Sequence, residues 1–209
     1  MTYKKNRFIN VILLTIVGGY LNAYTFLLKD GVFASMQTGN IIFSSISLIN
    51  QDYLEFFRYL VPITVYSLSI MAAIYLKKNI KKYIKYILLI EILTLFILSF
   101  INNPNYNIFF NSTVAFVSAL QIEGLSNIAG SSYTTTMCTN NLRLLSQEIA
   151  NSISNRNITK NTWKFLSIII FFSLGVMLAT SIININIINP LYIPILILIL
   201  VLNLKKNDI

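Results

Sequence analysis

Two short polar motifs interrupt the apolar sequence of this chain and are its clearest candidates for binding chemistry. Their members are Gln37, Thr38, Gly39 and Asn40 in the first motif and Thr135, Thr136, Thr139, Asn140 and Asn141 in the second. A helix that begins at either motif would direct free N–H groups and its positive dipole end towards the motif, which favours an anion or a partly negative group. The alternative interpretation is that these hydroxyl and amide side chains join helices by hydrogen bonds.

Three ionisable residues, Glu91, Glu123 and Arg143, lie in or beside apolar stretches. Charges inside a membrane are costly and are functional by default. One hypothesis therefore makes Glu123 or Glu91 a proton-coupling carboxylate and makes Arg143 a charge that binds the substrate or gates its path. The alternative is a buried structural pair, or side chains that extend to the cytoplasmic membrane surface.

The composition argues against enzyme chemistry. The chain has no histidine and a single cysteine, Cys138, which removes the usual metal clusters, disulfides, Cys/His nucleophile pairs and Ser/His/Asp triads. The scattered glutamates do not form a plausible pair of general acid and general base. We therefore expect no enzyme activity, no catalytic residue, no metal and no cofactor.

The elements that must position these residues are membrane helices. Of the 209 residues, 56% are hydrophobic and 11% are charged, against about 25% charged in an ordinary soluble domain. Apolar runs recur from Phe8 to Leu204, so we expect one all-α integral membrane domain over residues 1–209, with the lipid bilayer as its partner. The first run, Phe8 to Leu28, is long enough to be a retained span rather than a cleaved signal peptide.

Charge predicts how the apolar segments cross the cell membrane. The net charge of +9 comes from basic residues at the ends of apolar segments, which are topology signals rather than a surface for nucleic acid. The segments lie at about 8–28, 32–49, 58–76, 84–102, 108–128, 132–150, 163–182 and 188–204. The two that carry the polar motifs are too polar to face lipid, and we expect them to be re-entrant helices that enter and leave on one face.

That arrangement leaves six transmembrane helices with both termini in the cytoplasm. Fourteen of the sixteen basic residues then face the cytoplasm, as the positive-inside rule requires, and only Lys29 and Arg58 lie outside. If all eight segments crossed, the lysine-rich stretch around Lys81 would lie opposite the basic amino terminus, against that rule.

The same arrangement predicts two inverted repeats, residues 8–102 and 108–204. A shift of 101 residues aligns 36–40 with 137–141, and a shift of 106 aligns 67–73 with 173–179. Three spans per repeat is an odd number, so the second repeat must be inverted relative to the first, as in many transporters and some channels.

We expect the two polar motifs to face each other near the membrane midplane, because non-helical backbone at that depth needs a protein or water-filled surrounding. Gly39 would allow close backbone approach or a positive φ, and Asn140 is among the few other residues that tolerate a positive φ. Glu123 lies in the span that pairs by repeat with the span carrying Asn22. Both residues are therefore included with the motifs in the predicted solute site.

Four blocks of the sequence resemble one family. They are residues 18–26, 31–34, 37–40 and 135–143, and they resemble the YoaK-like family of bacterial membrane proteins, catalogued as domain of unknown function 1275, over nearly the whole chain. The family usually carries Asp where this chain has Asn22 and Gly where it has Asn140. The resemblance implies a six-span protein of the bacterial inner membrane and supplies no established substrate.

The leading functional hypothesis is a small transporter or permease for a small polar or anionic solute, with proton coupling as an option. Its predicted midplane site comprises Asn22, Glu123, Arg143 and the two motifs. A passive channel is the nearest alternative. A non-catalytic assembly or interaction protein is the other, because the small residues Ser69 and Ala73 and their repeat counterparts would let spans, or two copies in a homodimer, pack closely.

Overall fold

The computed structural model describes residues 2–126, 138–155 and 157–206, and these residues form an all-helical bundle. They contain a 3₁₀ turn at Pro104–Tyr106, no β-strand, and the helices α1 (Thr2–Leu28), α2 (Gln37–Ile49), α3 (Tyr53–Asn79), α4 (Tyr83–Leu98), α5 (Asn107–Gly124), α6 (Cys138–Asn155), α7 (Lys160–Ile185) and α8 (Tyr192–Lys206). The predicted all-α fold class is confirmed.

Within the described residues, three helices are both long enough and apolar enough to cross a membrane. They are Phe8–Leu28 within α1, Tyr53–Asn79 (α3) and Lys160–Ile185 (α7), and α8 contributes a shorter apolar stretch, Tyr192–Leu204. A span needs about 20 apolar residues because the hydrocarbon core is about 30 Å thick. These helices support the prediction of a membrane protein.

The second predicted segment begins later as a helix than the sequence pattern indicates. α1 ends where Asp30 and Gly31 adopt positive φ angles of 61° and 71°, a conformation that breaks a helix and that glycine adopts without strain. Residues 32–36 then run without helical structure, and α2 begins at Gln37. The polar motif therefore forms the first turn of a short helix.

The helices pack in matched pairs. α1 packs on α7 as α5 packs on α3; α2 packs on α3 as α6 packs on α7; and α8 packs on α1 as α4 packs on α5. If α1 is exchanged with α5, α2 with α6, α3 with α7 and α4 with α8, the first contact of each pair becomes the second. α4 and α8, which exchange with each other, also touch.

The backbones of α1 and α7 touch where they cross. A Cβ atom added to Gly19 would overlap the carbonyl oxygen of Phe172 and lie 3.1 Å from its carbonyl carbon, and one added to Gly175 would lie 3.0 Å from the carbonyl carbon of Ile16. Only glycine fits at either position, as at close contacts between membrane helices generally. The predicted small-residue faces are used within the chain, since Ser69, Ala73 and Ala179 are also buried.

Candidate functional site

Buried polar side chains are concentrated on α1 and α5. Those described on these two helices are Asn10, Thr15, Asn22 and Thr25 on α1, and Asn107, Asn111, Ser112, Ser118 and Gln121 on α5. The remaining membrane-length helices described carry far fewer: α3 has Ser69, and α7 has none in the buried class. The polar interior of the bundle therefore follows two helices that pack in equivalent ways.

Two hydrogen bonds join α1 to α5. The side-chain nitrogen of Gln121 donates to the carbonyl oxygen of Leu14 at 3.1 Å, and that of Asn111 donates to the carbonyl oxygen of Lys29 at 2.8 Å. Leu14 and Gln121 lie towards one end of this contact, and Lys29 and Asn111 lie towards the other. The two helices are therefore antiparallel.

Lys29 follows the last residue of α1 and is only 6% exposed. Its Nζ lies 4.4 Å from the centroid of the Phe110 ring, which is a cation–π distance. Burial lowers the pKa of the Lys29 ammonium, and the neighbouring Asp30 partly opposes that effect. Asp30 itself forms an ion pair with Arg58, 3.6 Å away.

Asn22 holds the non-helical segment that precedes the first motif. Its Nδ2 donates to the carbonyl oxygen of Gly18 at 2.8 Å and to Oγ of Ser35 at 2.7 Å, and its Oδ1 accepts from the backbone N–H of Ser35 at 3.0 Å. Both donor hydrogens and the oxygen of the amide are in use. In this conformation Asn22 positions the segment.

Asn40, in α2, forms hydrogen bonds to the same segment. Its Oδ1 accepts from the N–H of Phe33 at 3.0 Å, and its Nδ2 donates to the Phe33 carbonyl at 2.8 Å and to Oε1 of Gln37 at 3.0 Å. Gln37 donates to the carbonyl oxygen of Ala34 at 3.3 Å. Thr38 is exposed. In the first motif, Asn40 therefore forms buried hydrogen bonds to the segment before α2, and Thr38 presents its hydroxyl on the exposed side.

Gly39 provides close approach without an unusual φ. A Cβ atom at this position would lie 2.8 Å from Cδ2 of Phe33, and the positive φ angles among the described residues occur elsewhere. Asn140 likewise lies inside α6 with helical backbone. The close approach expected at Gly39 is therefore present, and the positive φ considered for Gly39 and Asn140 is not.

The second motif is described only in part, because Thr135 and Thr136 lie outside the described residues. Thr139 is exposed in the first turn of α6, and Asn141 is fully buried. The Oδ1 of Asn140 accepts from Nη2 of the exposed Arg143 at 3.2 Å. Arg143 is therefore turned towards its own helix.

The described parts of the two motifs do not meet. α2 packs on α3 and α6 packs on α7, and no contact joins α2 to α6. The connector between α2 and α3 has only three residues, Asn50 to Asp52, so each short helix folds back on the span that follows it. The face-to-face arrangement of the two complete motifs stays a prediction, because Thr135 and Thr136 lie outside the described residues.

Glu123 lies near the end of α5 rather than in its middle. Its Oε1 accepts from Nζ of Lys77 at 3.2 Å, and its side chain is 30% exposed. Lys77 also donates to Oγ of Ser126 at 3.0 Å. The partner of Glu123 is thus Lys77 of α3, and the hypothesis of a pair with Arg143 is not what the structure contains.

Several buried polar groups were not singled out from the sequence. Both side-chain polar atoms of Asn10, and the side-chain oxygens of Asn107 and Asn111, have no hydrogen-bond partner among the described residues. Asn10 and Asn111 are 101 residues apart, which is the shift that aligns the two motifs. That shared spacing is the signal that could have identified them.

Glu91 is completely buried in α4, and neither carboxyl oxygen has a hydrogen-bond partner within the described chain. Its helical neighbours on the same face are Leu88 and Leu95, which are also completely buried. The side chain therefore does not extend to the membrane surface. Among the described residues, no group of three or more Cys, Asp or Glu side chains is placed to hold a metal ion.

Comparison with known proteins agrees with the resemblance found in the sequence. Residues 10–204 match a family described as "Protein of unknown function (DUF1275)". No match was found among curated proteins or among solved structures. Because the match covers nearly the whole chain, the protein belongs to the DUF1275 family.

Proposed function

We propose that the protein is a six-span carrier built from two inverted repeats, 8–102 and 108–204, which moves a small polar or anionic solute across the cell membrane without catalysing a reaction. The matched packing of the helices supports the repeat, because exchanging the two halves preserves the contacts of α1 with α7 and of α3 with α5. The buried counterparts Asn10 and Asn111 support the same alignment.

Contacts between helix ends support six crossings. The end of α1 meets the start of α5 through Lys29 and Asn111, and the connector before α8 meets the end of α4 through a 2.7 Å bond from Asn189 to the carbonyl oxygen of Ser99. At the opposite end of the bundle, α3 meets α5 through Lys77 and Glu123. With the positive-inside rule, this arrangement supports a topology with both termini in the cytoplasm.

The observation that carries the proposal is a set of buried amide side chains on α1 and α5 in which at least the oxygen has no hydrogen-bond partner within the described chain. Buried polar groups in proteins are hydrogen-bonded with few exceptions, and inside a membrane an unpaired amide is more costly still. Asn10, Asn107 and Asn111 therefore have hydrogen-bonding capacity to offer a solute or its water. We place the solute path between these helices, beside the non-helical segment 32–36 that Asn22 and Asn40 hold by hydrogen bonds.

Thermal unfolding of the purified protein with a panel of solutes tests this proposal. Acetate, inorganic phosphate and glycerol serve as probes of carboxylate, phosphate and neutral polyol chemistry. A solute present at about 100 times its Kd should stabilise the folded protein by about 2.7 kcal/mol, because it binds only the folded state. Stabilisation by none of the probes, or by all of them equally at high concentration, would contradict a specific site for these solute classes.

The variant Asn10→Leu localises the site. The amide of Asn10 makes no hydrogen bond within the described chain, so its replacement by a side chain of similar size should leave the protein folded. The variant should lose the solute-dependent shift in Tm. Thr64→Val, on the exposed face of α3, is the control and should keep that shift.

A role in assembly through the small-residue faces receives less support. Ser69, Ala73, Gly175 and Ala179 are buried within the chain, so these faces already serve contacts between its own helices. A homodimer would have to use other surfaces.

A further inference from the structure

Glu91 introduces a carboxyl group into an otherwise apolar face of α4. The residues three before it and four and seven after it are Leu88, Leu95 and Leu98, and all are buried. The side chain of Glu91 is itself 0% exposed, and neither oxygen has a hydrogen-bond partner among the described residues. No Lys or Arg nitrogen of the described residues forms an ion pair with it.

The described side chains of the helices that pack against α4 provide no compensating charge. These are α5, α8 and, more slightly, α3. Glu123 of α5 pairs with Lys77 of α3, and Glu55 pairs with Arg58 at the other end of α3. The other ionisable side chains described on these helices make no hydrogen bond to Glu91, and they are Asp52 at the start of α3, Tyr53, Tyr59, Tyr66, Tyr75, Lys78 and Tyr192.

We propose that Glu91 is a proton-binding site and that a proton is the coupling ion of the carrier, an inference that rests on the proposed function. An isolated carboxylate in an apolar interior costs far more free energy than a neutral carboxyl group. The conformation described here therefore holds Glu91 with its proton. This site lies apart from the amide groups of α1 and from the two polar motifs.

The position of Glu91 links the proton to the packing of the bundle. Glu91 is eight residues beyond Tyr83, about 12 Å along α4 at the helical rise, on the face that packs against α5 and α8. A movement of α4 that admits water or a hydrogen-bond donor to this face would stabilise the carboxylate and release the proton. Proton binding and helix packing must then influence each other reciprocally.

Infrared spectroscopy of the full-length protein at pH 7 in dodecyl maltoside micelles, whose detergent has no carbonyl group, tests for the proton directly. The C=O stretching band of an undissociated carboxyl group should be present in the wild type, absent from Glu91→Gln, and retained in Glu123→Gln, the matched control. Glu91→Leu, which continues the leucine face, gives a second variant should Glu91→Gln fold poorly. A wild-type spectrum without this band would overturn the proposal.

Salt exchange separates a proton from a metal cation. Replacing sodium chloride by choline chloride should leave the band unchanged, because no cation competes for the carboxyl group. A band that is present in choline and lost in sodium would show that Na⁺ binds the carboxylate, and would overturn the assignment of the proton.

Coupling is measured with whichever probe among acetate, inorganic phosphate and glycerol stabilises the wild type. Adding it, from a stock adjusted to the pH of the suspension, to weakly buffered vesicles that contain the protein should change the external pH with the wild type and not with Glu91→Gln; equal changes with both proteins would overturn the coupling. If no probe stabilises the protein while the band is present, the carrier proposal and the coupling fail together and the proton site stands. If a probe stabilises the protein but the carboxyl C=O band is absent, the proton site at Glu91 is refuted and the carrier proposal stands.

Discussion

The crossing of α1 and α7 allows a stability change to be worked out from the structure. In Gly19→Ala the new Cβ atom would overlap a backbone oxygen of Phe172, which cannot rotate away. The two helices must separate by roughly 1 Å. Overpacking costs about 1 to 3 kcal/mol, and a clash with fixed backbone atoms falls in the upper part of that range, about 2 to 3 kcal/mol. Alanine regains about 1 kcal/mol through its higher helix propensity, so the net loss should be about 1 to 2 kcal/mol.

Reversible unfolding in mixed micelles of dodecyl maltoside and sodium dodecyl sulfate would measure this loss. Gly124→Ala is the matched control, because its Cβ would meet Cδ1 of Ile87, the mobile end of a side chain. The free energy of unfolding of Gly124→Ala should be between the wild-type value and about 1 kcal/mol above it.

The double variant Gly19→Ala/Gly175→Ala adds a test of geometry. Both substitutions push the same helices apart, so the combined loss should be smaller than the sum of the single losses by about 0.5 kcal/mol or more. A Gly19→Ala protein as stable as the wild type would refute the backbone contact, and strict additivity would refute a shared crossing point.

Three further measurements test other parts of the structure. Asn40→Ala removes the bonds to Phe33 and Gln37 and should cost about 2 kcal/mol in the same unfolding assay, whereas Thr38→Ala, at an exposed position, should stay within about 0.5 kcal/mol of the wild type. The pKa of Lys29 is lowered in the folded protein from its usual 10.5, so the folded state binds fewer protons at this residue than the unfolded state. The wild type should therefore gain stability relative to Lys29→Met as the pH rises towards 10.5. A stability difference that does not depend on pH would contradict the burial of the ammonium. In a Cys138→Ser background, a cysteine at position 81 should react only with reagents that reach the cytoplasm and cysteines at positions 105 and 186 only with external reagents, and the opposite pattern at 81 would rule out the six-span topology.

Hydropathy and charge predicted the helices well because apolar segments of membrane length leave few alternatives. The predicted segments 58–76 and 163–182 correspond to α3 and α7, although both helices extend beyond the apolar stretch through polar ends. The predicted start at residue 32 was too early, because the reversal at Asp30 and Gly31 depends on backbone angles that hydropathy does not record.

The candidate site was harder to predict because the partner of a polar side chain depends on packing between distant segments. The assignment of Asn22 and Asn40 to a solute site stays a prediction. The structure shows that both side chains are buried and that their hydrogen bonds reach Ser35 and Phe33 of one intervening segment. Glu123 was assigned to the interior from its alignment with Asn22, yet the end of α3 brings Lys77 beside it. A shift between repeats identifies equivalent positions without specifying their surroundings.

Equivalent positions of the two proposed repeats differ in their hydrogen bonds, which indicates that the two halves have different roles. Asn22 is buried and holds the segment before α2, whereas its counterpart Glu123 is partly exposed and paired with Lys77. The amide of Asn111 is bonded to the carbonyl of Lys29 through its nitrogen, whereas neither polar atom of its counterpart Asn10 has a partner in the described part of the chain. A site made by strict duplication would have the same bonds in both halves. The unequal bonding of Asn10 and Asn111 instead favours a carrier whose two halves have the same helix packing but bind the solute with different groups, and it makes Asn10 the position at which a polar solute would gain the most hydrogen bonds.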